Sequence, residues 1–325
     1  MKKTTTVTVL RWKLILLIFL LLILVLLLTT AWVKNEYSKA REDSLRDIQN
    51  RNGVLPADEE IQFHPPEVEL DFINILLLGV DAENDGVTRT DTIMLGQYHP
   101  KEGSVRLVSL MRDSYVSIPG YRDNKLNASY ALGGMELLRK TIKENFQVDV
   151  HYYAQVDFNS FIRIVDIMAP NGLEVDVENR MYYRNNSGSY IIDFARGTHI
   201  LDGEDALDYA RFRSDSQNDF GRVKRQQELL SLLKDEVLSL SGIQRIPQLL
   251  GSIEPYIQTN LSSQEMISYG RSFLVNNIED IETMTVPVEG GFYDEYYNHA
   301  GAVLQLDIEK NREALHEFLK IKNEE

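Results

Sequence analysis

Between Asp205 and Gln227 the chain reads DALDYARFRSDSQNDFGRVKRQQ, gathering Arg211, Arg213, Arg222, Lys224 and Arg225 within an otherwise acidic protein. If Asp219 is the N-cap of a helix, Arg222, Arg225 and Gln226 fall three and four residues apart and share one face of its first turns. Cations so placed oppose the helix macrodipole, so the pattern favours an anion that comes to meet them. The guanidinium fork grips phosphate oxygens through paired hydrogen bonds in a way an ammonium cannot. The stretch therefore reads as a phosphate or pyrophosphate site. The alternative is a solvated charged face, or arginines paired with nearby Asp and Glu. A kinase is excluded despite the DFG of Asp219 to Gly221, because neither a glycine-rich strand loop nor an HRD-type loop accompanies it.

Carboxylates that would complement such a site stand upstream. Asp81 ends the apolar run FINILLLGVD, and Asp91 lies at the opening of the next strand, in VTRTDTIML. Ligands of open α/β sheets bind beyond the carboxyl ends of the strands, where Asp81 would be. One or two carboxylates with substrate phosphates is a usual way to hold Mg²⁺, which keeps most of its waters. Each Asp taken alone could equally be a turn or strand-edge residue. Arg112 and Asp113 follow a third apolar run, LVSLMRDSYV, and Lys125 and Asn127 follow in NKLNASYALGG.

These residues need a scaffold, and the remaining patterning supplies one. Continuous apolar runs at Phe72–Asp81, Thr92–Tyr98 and Val105–Leu110 read as buried strands. Helical MELLRKTIKENF, strand-like HYYAQVD, helical FNSFIRIVDIM and strand-like GLEVDV then alternate, which predicts an α/β sandwich with helices on both faces of a sheet. A Tyr-, Asn- and Gly-rich segment from Met181 to Arg196 reads as a surface loop or hairpin. A mostly helical section runs through Ser231–Leu240 toward Phe273, MTVPV reads as a late strand, and Asp307–Lys320 as a closing helix. Asp81, Asp91, Arg112, Arg211 and Arg222 are expected at one rim of the sheet.

The N-terminus follows different rules. Leu14 to Leu28 is unbroken Leu, Ile, Val and Phe, and the run extends to Val33, long enough at about 1.5 Å per residue to cross about 30 Å of hydrocarbon. Lys2, Lys3, Arg11 and Lys13 precede or enter it, and no Asp or Glu occurs before Glu36, so the positive-inside rule places residues 1–13 in the cytoplasm and the rest outside. Trp12 and Trp32 flank the span as interfacial residues; a cleaved signal peptide is the rival, with Thr29 and Ala31 as a weak small-residue site. Residues 34–70 read as a polar stalk, broken by Gly53, Pro56, Pro65 and Pro66, with a short helix near the membrane, and residues 71–325 as the globular domain. The net charge of −15 is concentrated in that domain and repels polyanions, which argues against nucleic acid as a partner. The absence of cysteine excludes disulfides and thiolate chemistry.

The ordered set LLLGVD, RTDTIML, VSLMRDSYV, KLNASYALGG and LDGEDALDYARFRSDSQNDFGRVKRQQ, spread over Phe72 to Leu240, resembles the LytR-CpsA-Psr proteins. That resemblance implies an α/β/α sandwich on a mixed sheet behind a single membrane helix, with an apolar tunnel for a polyprenyl chain. It implies a phosphotransferase that moves a glycopolymer, capsule or teichoic acid among the options, from an undecaprenyl (pyro)phosphate carrier to peptidoglycan. It assigns Asp81 and Asp91 to Mg²⁺, and Arg89, Arg112, Lys125, Arg211, Arg213, Arg222, Arg225 and Gln226 to the pyrophosphate, with Arg112, Arg222, Arg225 and Gln226 as catalytic residues. Two departures, Met111 where Pro is usual and Thr90 where Ser is frequent, replace no liganding group. A polyprenyl pyrophosphate hydrolase using the same site and a non-catalytic wall-binding or regulatory protein are the alternatives. Phe158, Phe161, Ile162 and Val165 are assigned to the core rather than to a tunnel.

Overall fold

The computed structural model describes residues 3–50, 61–67, 71–81, 89–185, 187–214, 218–239, 246–276, 278 and 281–321; the side chains of residues 3–26, Asp81, Arg89, Asn218 and Leu274 lie outside that description. In chain order the elements are α1 (Lys3–Asn50), β1 (Ile73–Asp81), β2 (Arg89–His99), β3 (Ser104–Leu110), β4 (Ser114–Val116), β5 (Asn124–Lys125), α2 (Leu126–Phe146), β6 (Tyr152–Asp157), α3 (Phe158–Met168), β7 (Leu173–Val177), β8 (Met181–Arg184), β9 (Ile191–Phe194), β10 (Gly197–Leu201), α4 (Gly203–Arg211) and α5 (Asn218–Leu238). They continue with α6 (Ile246–Ile253), a 3₁₀ turn at Glu254–Tyr256, β11 (Gln258–Thr259), α7 (Ser263–Val275), β12 (Ile281–Val286), β13 (Phe292–Tyr297), β14 (Gly301–Leu306) and α8 (Ile308–Leu319).

A mixed six-stranded sheet in the order β11-β6-β1-β2-β3-β12 forms the centre. β1 pairs parallel with β6 and antiparallel with β2, and β3 pairs antiparallel with β2 and parallel with β12. The ends of β1, β3, β6 and β12 and the start of β2 therefore share one rim. Strand periodicity divides β1 cleanly. Leu76, Leu78 and Val80 pack with Leu138, Ile142 and Phe146 of α2 and Leu315 and Leu319 of α8. Leu77 and Gly79 face the opposite layer, which holds α3, α5, α6 and α7. The expected mixed α/β sandwich is the observed one.

Other elements refine or extend the expectation. α2 is two helices joined across a kink at Gly133 and Gly134, whose backbone angles are non-helical (φ +63° at Gly134), so the expected helix MELLRKTIKENF follows the glycines and only the helical segment from Leu126 that precedes them is new. β8 and β9 pair antiparallel from Met181↔Phe194 to Arg184↔Ile191, which is the hairpin alternative expected for that segment. A second small sheet, β13-β14-β4-β5, has no counterpart in the sequence reading of residues 292–306.

The N-terminal helix α1 runs to Asn50 and packs on the domain. Tyr37, Ala40, Ser44 and Ile48, at helical spacing, are buried. A side chain at Gly251 of α6 would meet the Tyr37 carbonyl at 2.2 Å, so glycine permits that crossing, and Arg41 Nε lies 2.7 Å from Glu254. The apolar run 14–33 falls on the N-terminal part of α1, and only from Leu27 onward do its side chains belong to the described set. Among the described residues no helix is long and apolar enough to cross a membrane.

Candidate active site

At the rim where β2 begins and β3 ends, three guanidiniums meet two carboxylates. Arg112 Nη1 donates to Asp91 Oδ1, and Arg213 Nη2 lies 3.3 Å from Asp91 Oδ2. Asp219 accepts from Arg222 Nη2 at 2.8 Å and is also approached by Arg112 Nε and Arg213 Nε, each at 3.6 Å. Asp113, 3.4 Å from Arg112 Nε, takes a hydrogen bond from Lys125 Nζ at 2.7 Å.

Arg222 is the strained member of this group. It is 2% exposed, and its Nε and Nη1 have no hydrogen-bond partner. Burial, then the positive charges of Arg213 and Arg112, pull it down to about 10 despite the attraction of Asp219 and Asp91. Burial acts on Asp91 in the opposite sense, raising its pKa, but Arg112, Arg213 and Arg222 outweigh it and hold the carboxyl below the usual range. A buried cation with unused donors, crowded by like charges, has the chemistry to bind an anion.

Behind the cations lies an apolar cavity of about 430 Å³. A second, of about 400 Å³, abuts it and shares Leu77, Ala154, Leu230, Ile253, Ile257 and Phe273 as lining residues. One helix joins head and cavity. Gln226, Leu229, Leu230, Leu233, Lys234 and Val237 of α5 line the first cavity, and Arg222 extends the same stripe one turn toward the helix N-terminus. From Arg222 to Val237 the stripe is about 22 Å long at 1.5 Å per residue. Gln226 Nε2 donates to Thr92 Oγ1 at 2.9 Å, tying the helix to the residue after Asp91. Arg211 also lines the cavity, with its guanidinium 4.3 Å from the centre of the Phe158 ring.

The structure thus brings Asp91, Arg112, Lys125, Arg213 and Arg222 together, with Arg211 and Gln226 on the cavity wall. Arg225 is placed differently: its Nη2 donates to the Phe212 carbonyl and its guanidinium lies over the Phe212 ring at 5.3 Å. Asp81 and Arg89 pair through their backbones at the rim, and their side chains lie outside the described residues. Asp219 departs from its expected place, since α5 already starts at Asn218. It stands inside the first turn, where its charge complements the helix dipole, and Arg222 opens the second turn. Its role as ion partner was missed, although the i, i+3 spacing to Arg222 is a visible signal. Phe158 lines the cavity, Phe161 both lines it and packs against the core as expected, and Val165 is buried in that core cluster with Leu229 and Leu233.

A family model for LytR_cpsA_psr proteins matches residues 30–317. The chain belongs to this family. It is 38% identical over 258 residues to the regulatory protein MsrR of Staphylococcus aureus (strain COL), covering 79% of this chain and 77% of that one. It is 30% identical over 220 residues to the polyisoprenyl-teichoic acid–peptidoglycan teichoic acid transferase TagU of Bacillus cereus, covering 67% of this chain and 69% of the relative. A solved structure of TagT bound to LIIa-WTA superposes with a TM-score of 0.61 at 26% identity, covering 82% of this chain and all of that one.

For Mg²⁺ the donor chemistry fits. Asp91 is an ionised hard-oxygen donor, and the guanidiniums now occupying it are groups that a phosphate would draw away. Among the described residues no group of three or more His, Asp or Glu could hold a metal unaided, so phosphate oxygens would complete the set.

Proposed function

We propose that this family member is a membrane-anchored phosphotransferase working outside the cell, which moves a glycopolymer from a polyprenyl (pyro)phosphate carrier to peptidoglycan. The carrying observation is the continuous α5 stripe, with a buried, under-bonded Arg222 at one end and an apolar cavity along the rest. A ligand that fits both ends is a long hydrocarbon bearing a phosphate head. The relative TagU, a teichoic acid transferase acting on peptidoglycan, suggests the polymer and the acceptor.

In this reading the polyprenyl chain lies in the cavity and the phosphates sit on Arg112, Arg213 and Arg222, with Arg211 and Gln226 where head meets chain. Lys125 extends the cationic surround, Arg89 is assigned to it by the family resemblance alone, and Arg225 holds the Phe212 backbone that leads to Arg213. An acceptor hydroxyl attacks the polymer-bearing phosphorus, and the polyprenyl phosphate leaves. The guanidiniums stabilise the charge that grows on the leaving oxygens. Mg²⁺, held by Asp91 and Asp81, would supply further neutralisation of that charge. Asp91, kept ionised by three arginines, serves to hold charge and is a weak base for the acceptor proton. The apolar run 14–33 on α1 would keep the domain at the membrane surface where such carriers reside.

The test is incubation of the full chain with a lipid-linked glycopolymer and a peptidoglycan acceptor, with Mg²⁺ or with EDTA. Covalent attachment of polymer to peptidoglycan, reduced by EDTA, is expected. Release of free polymer without attachment would identify a hydrolase instead, and no turnover would identify a binding protein.

A further inference from the structure

The unforeseen small sheet carries a row of side chains that leads away from the cations. In register, Tyr293 of β13 faces Gln305 of β14, Gln305 faces Tyr115 of β4, and Tyr115 faces Lys125 of β5. Residues directly across a sheet share a face, so the four form one line. Tyr297, on the same face as Tyr293, stacks on Tyr115 with ring centres 4.5 Å apart and donates from Oη to Gln305 Oε1 at 3.0 Å. His299 meets Tyr115 edge-on, and its Nε2 is 3.0 Å from the Asp123 carbonyl. At the inner end Lys125 grips Asp113, whose carbonyl accepts from the Leu304 amide of β14 at 3.0 Å. The line spans about 14 Å at about 4.8 Å per strand, the reach of a short oligosaccharide.

We infer that this face is the acceptor subsite, and that it takes the sugar rings of an uncharged glycan strand; the inference rests on the phosphotransferase reading. Inward-facing Phe292 packs against Phe220 and the core, whereas Tyr293 on the other side of the strand is 60% exposed. An exposed tyrosine offers an apolar ring and a polar tip, which suits a pyranose with apolar C–H faces and hydroxyl rims. Glu295 shares the face, an unfavourable neighbour for a polyanionic polymer or an anionic lipid headgroup. The position is continuous with the site from a second direction. The cavity reaches the cations through Thr92 and Gln226, and the tyrosine row reaches them through Asp113 and Lys125. Donor and acceptor would thus approach the transferring phosphorus from different sides, as displacement requires.

The experiment is saturation-transfer NMR of the full chain in detergent micelles with a β-1,4-linked N-acetylglucosamine tetrasaccharide as probe. Saturable transfer to the sugar ring protons is expected, with binding about tenfold weaker in Tyr293→Ala and Tyr297→Ala, the equivalent of about 1.4 kcal/mol. Tyr296→Ala, on the same strand but the other face, should bind as the parent does. Arg222→Lys should keep saccharide binding while losing affinity for geranylgeranyl pyrophosphate, so failure of the transferase reading and failure of this subsite appear in different measurements. No saturable binding, an equal loss in Tyr296→Ala, or anionic vesicles retained by this face in place of the saccharide would each overturn the subsite.

Discussion

Among the described residues the chain buries two arginines, Arg106 at 1% exposure and Arg222 at 2%, and both carry an Nε without a partner. They differ in company. Arg106 lies toward the other end of the central sheet, in register with Gln97 and Glu282, and takes Gln97 Oε1 as acceptor at 3.3 Å with Glu282 at 3.7 Å. Arg222 sits among other guanidiniums at the rim, above an apolar cavity. Burial and an unused donor are shared, so neither marks a site. Like charges converging beside a cavity distinguish Arg222 as the candidate, because packing alone gives no reason to bring them together.

The sharpest way to break this comparison is to change each arginine. Arg222→Lys keeps the charge and loses the fork, and should lower transfer about a hundredfold, about 3 kcal/mol by analogy with loss of an oxyanion-hole donor. Its thermal midpoint should hardly move. Arg106→Ala should do the reverse, destabilising the fold by roughly 2 to 4 kcal/mol through the cavity it leaves, with transfer per folded molecule unchanged in an assay normalised by circular dichroism. Equal losses of transfer and stability in both variants would make the rim cluster a structural network.

A second contrast separates head from chain. Ala154 lines both cavities, so Ala154→Trp should weaken a long prenyl pyrophosphate by about tenfold, about 1.4 kcal/mol, and leave a five-carbon one unaffected in a titration. Stability should respond to the head even without the chain. Filling Arg222's unused donors with inorganic pyrophosphate at a hundredfold its Kd should raise the midpoint by about 5 to 10 °C, and this rise should vanish in Arg222→Lys.

The pH dependence is the mildest effect. Arg222 is lower in the folded than in the unfolded chain, so the unfolded state binds more protons between about pH 10 and its ordinary value, and stability should rise with pH across that window. Asp91, depressed in the fold, contributes stability above the ordinary carboxylate pKa that is lost as pH falls through its folded value. Denaturant midpoints of Arg222→Gln and Asp91→Asn should lose the corresponding slopes.

Much of this was legible in the sequence, for identifiable reasons. The buried strands β1, β2 and β3 announce themselves as apolar runs, and the start of α5 by the spacing of Arg222, Arg225 and Gln226. β13 and β14 were not read, because the segment YDEYY mixes charged and aromatic residues where one face is open to solvent and lacks the alternation of a half-buried strand. Arg225 was grouped with Arg222 by helical spacing, but spacing fixes a face and not a partner, and the Phe212 carbonyl was nearer. Phe158 looked like core because a cavity wall and a core have the same composition.

The most direct measurement is calorimetric titration of the full chain in micelles with geranylgeranyl pyrophosphate, geranylgeraniol and inorganic pyrophosphate. The joined ligand should bind more tightly than either part, Arg222→Lys should weaken only the two that carry phosphate, and Ala154→Trp only the two that carry the chain. Binding of geranylgeranyl pyrophosphate that is indifferent to both substitutions would contradict the assignment of head and cavity to one substrate.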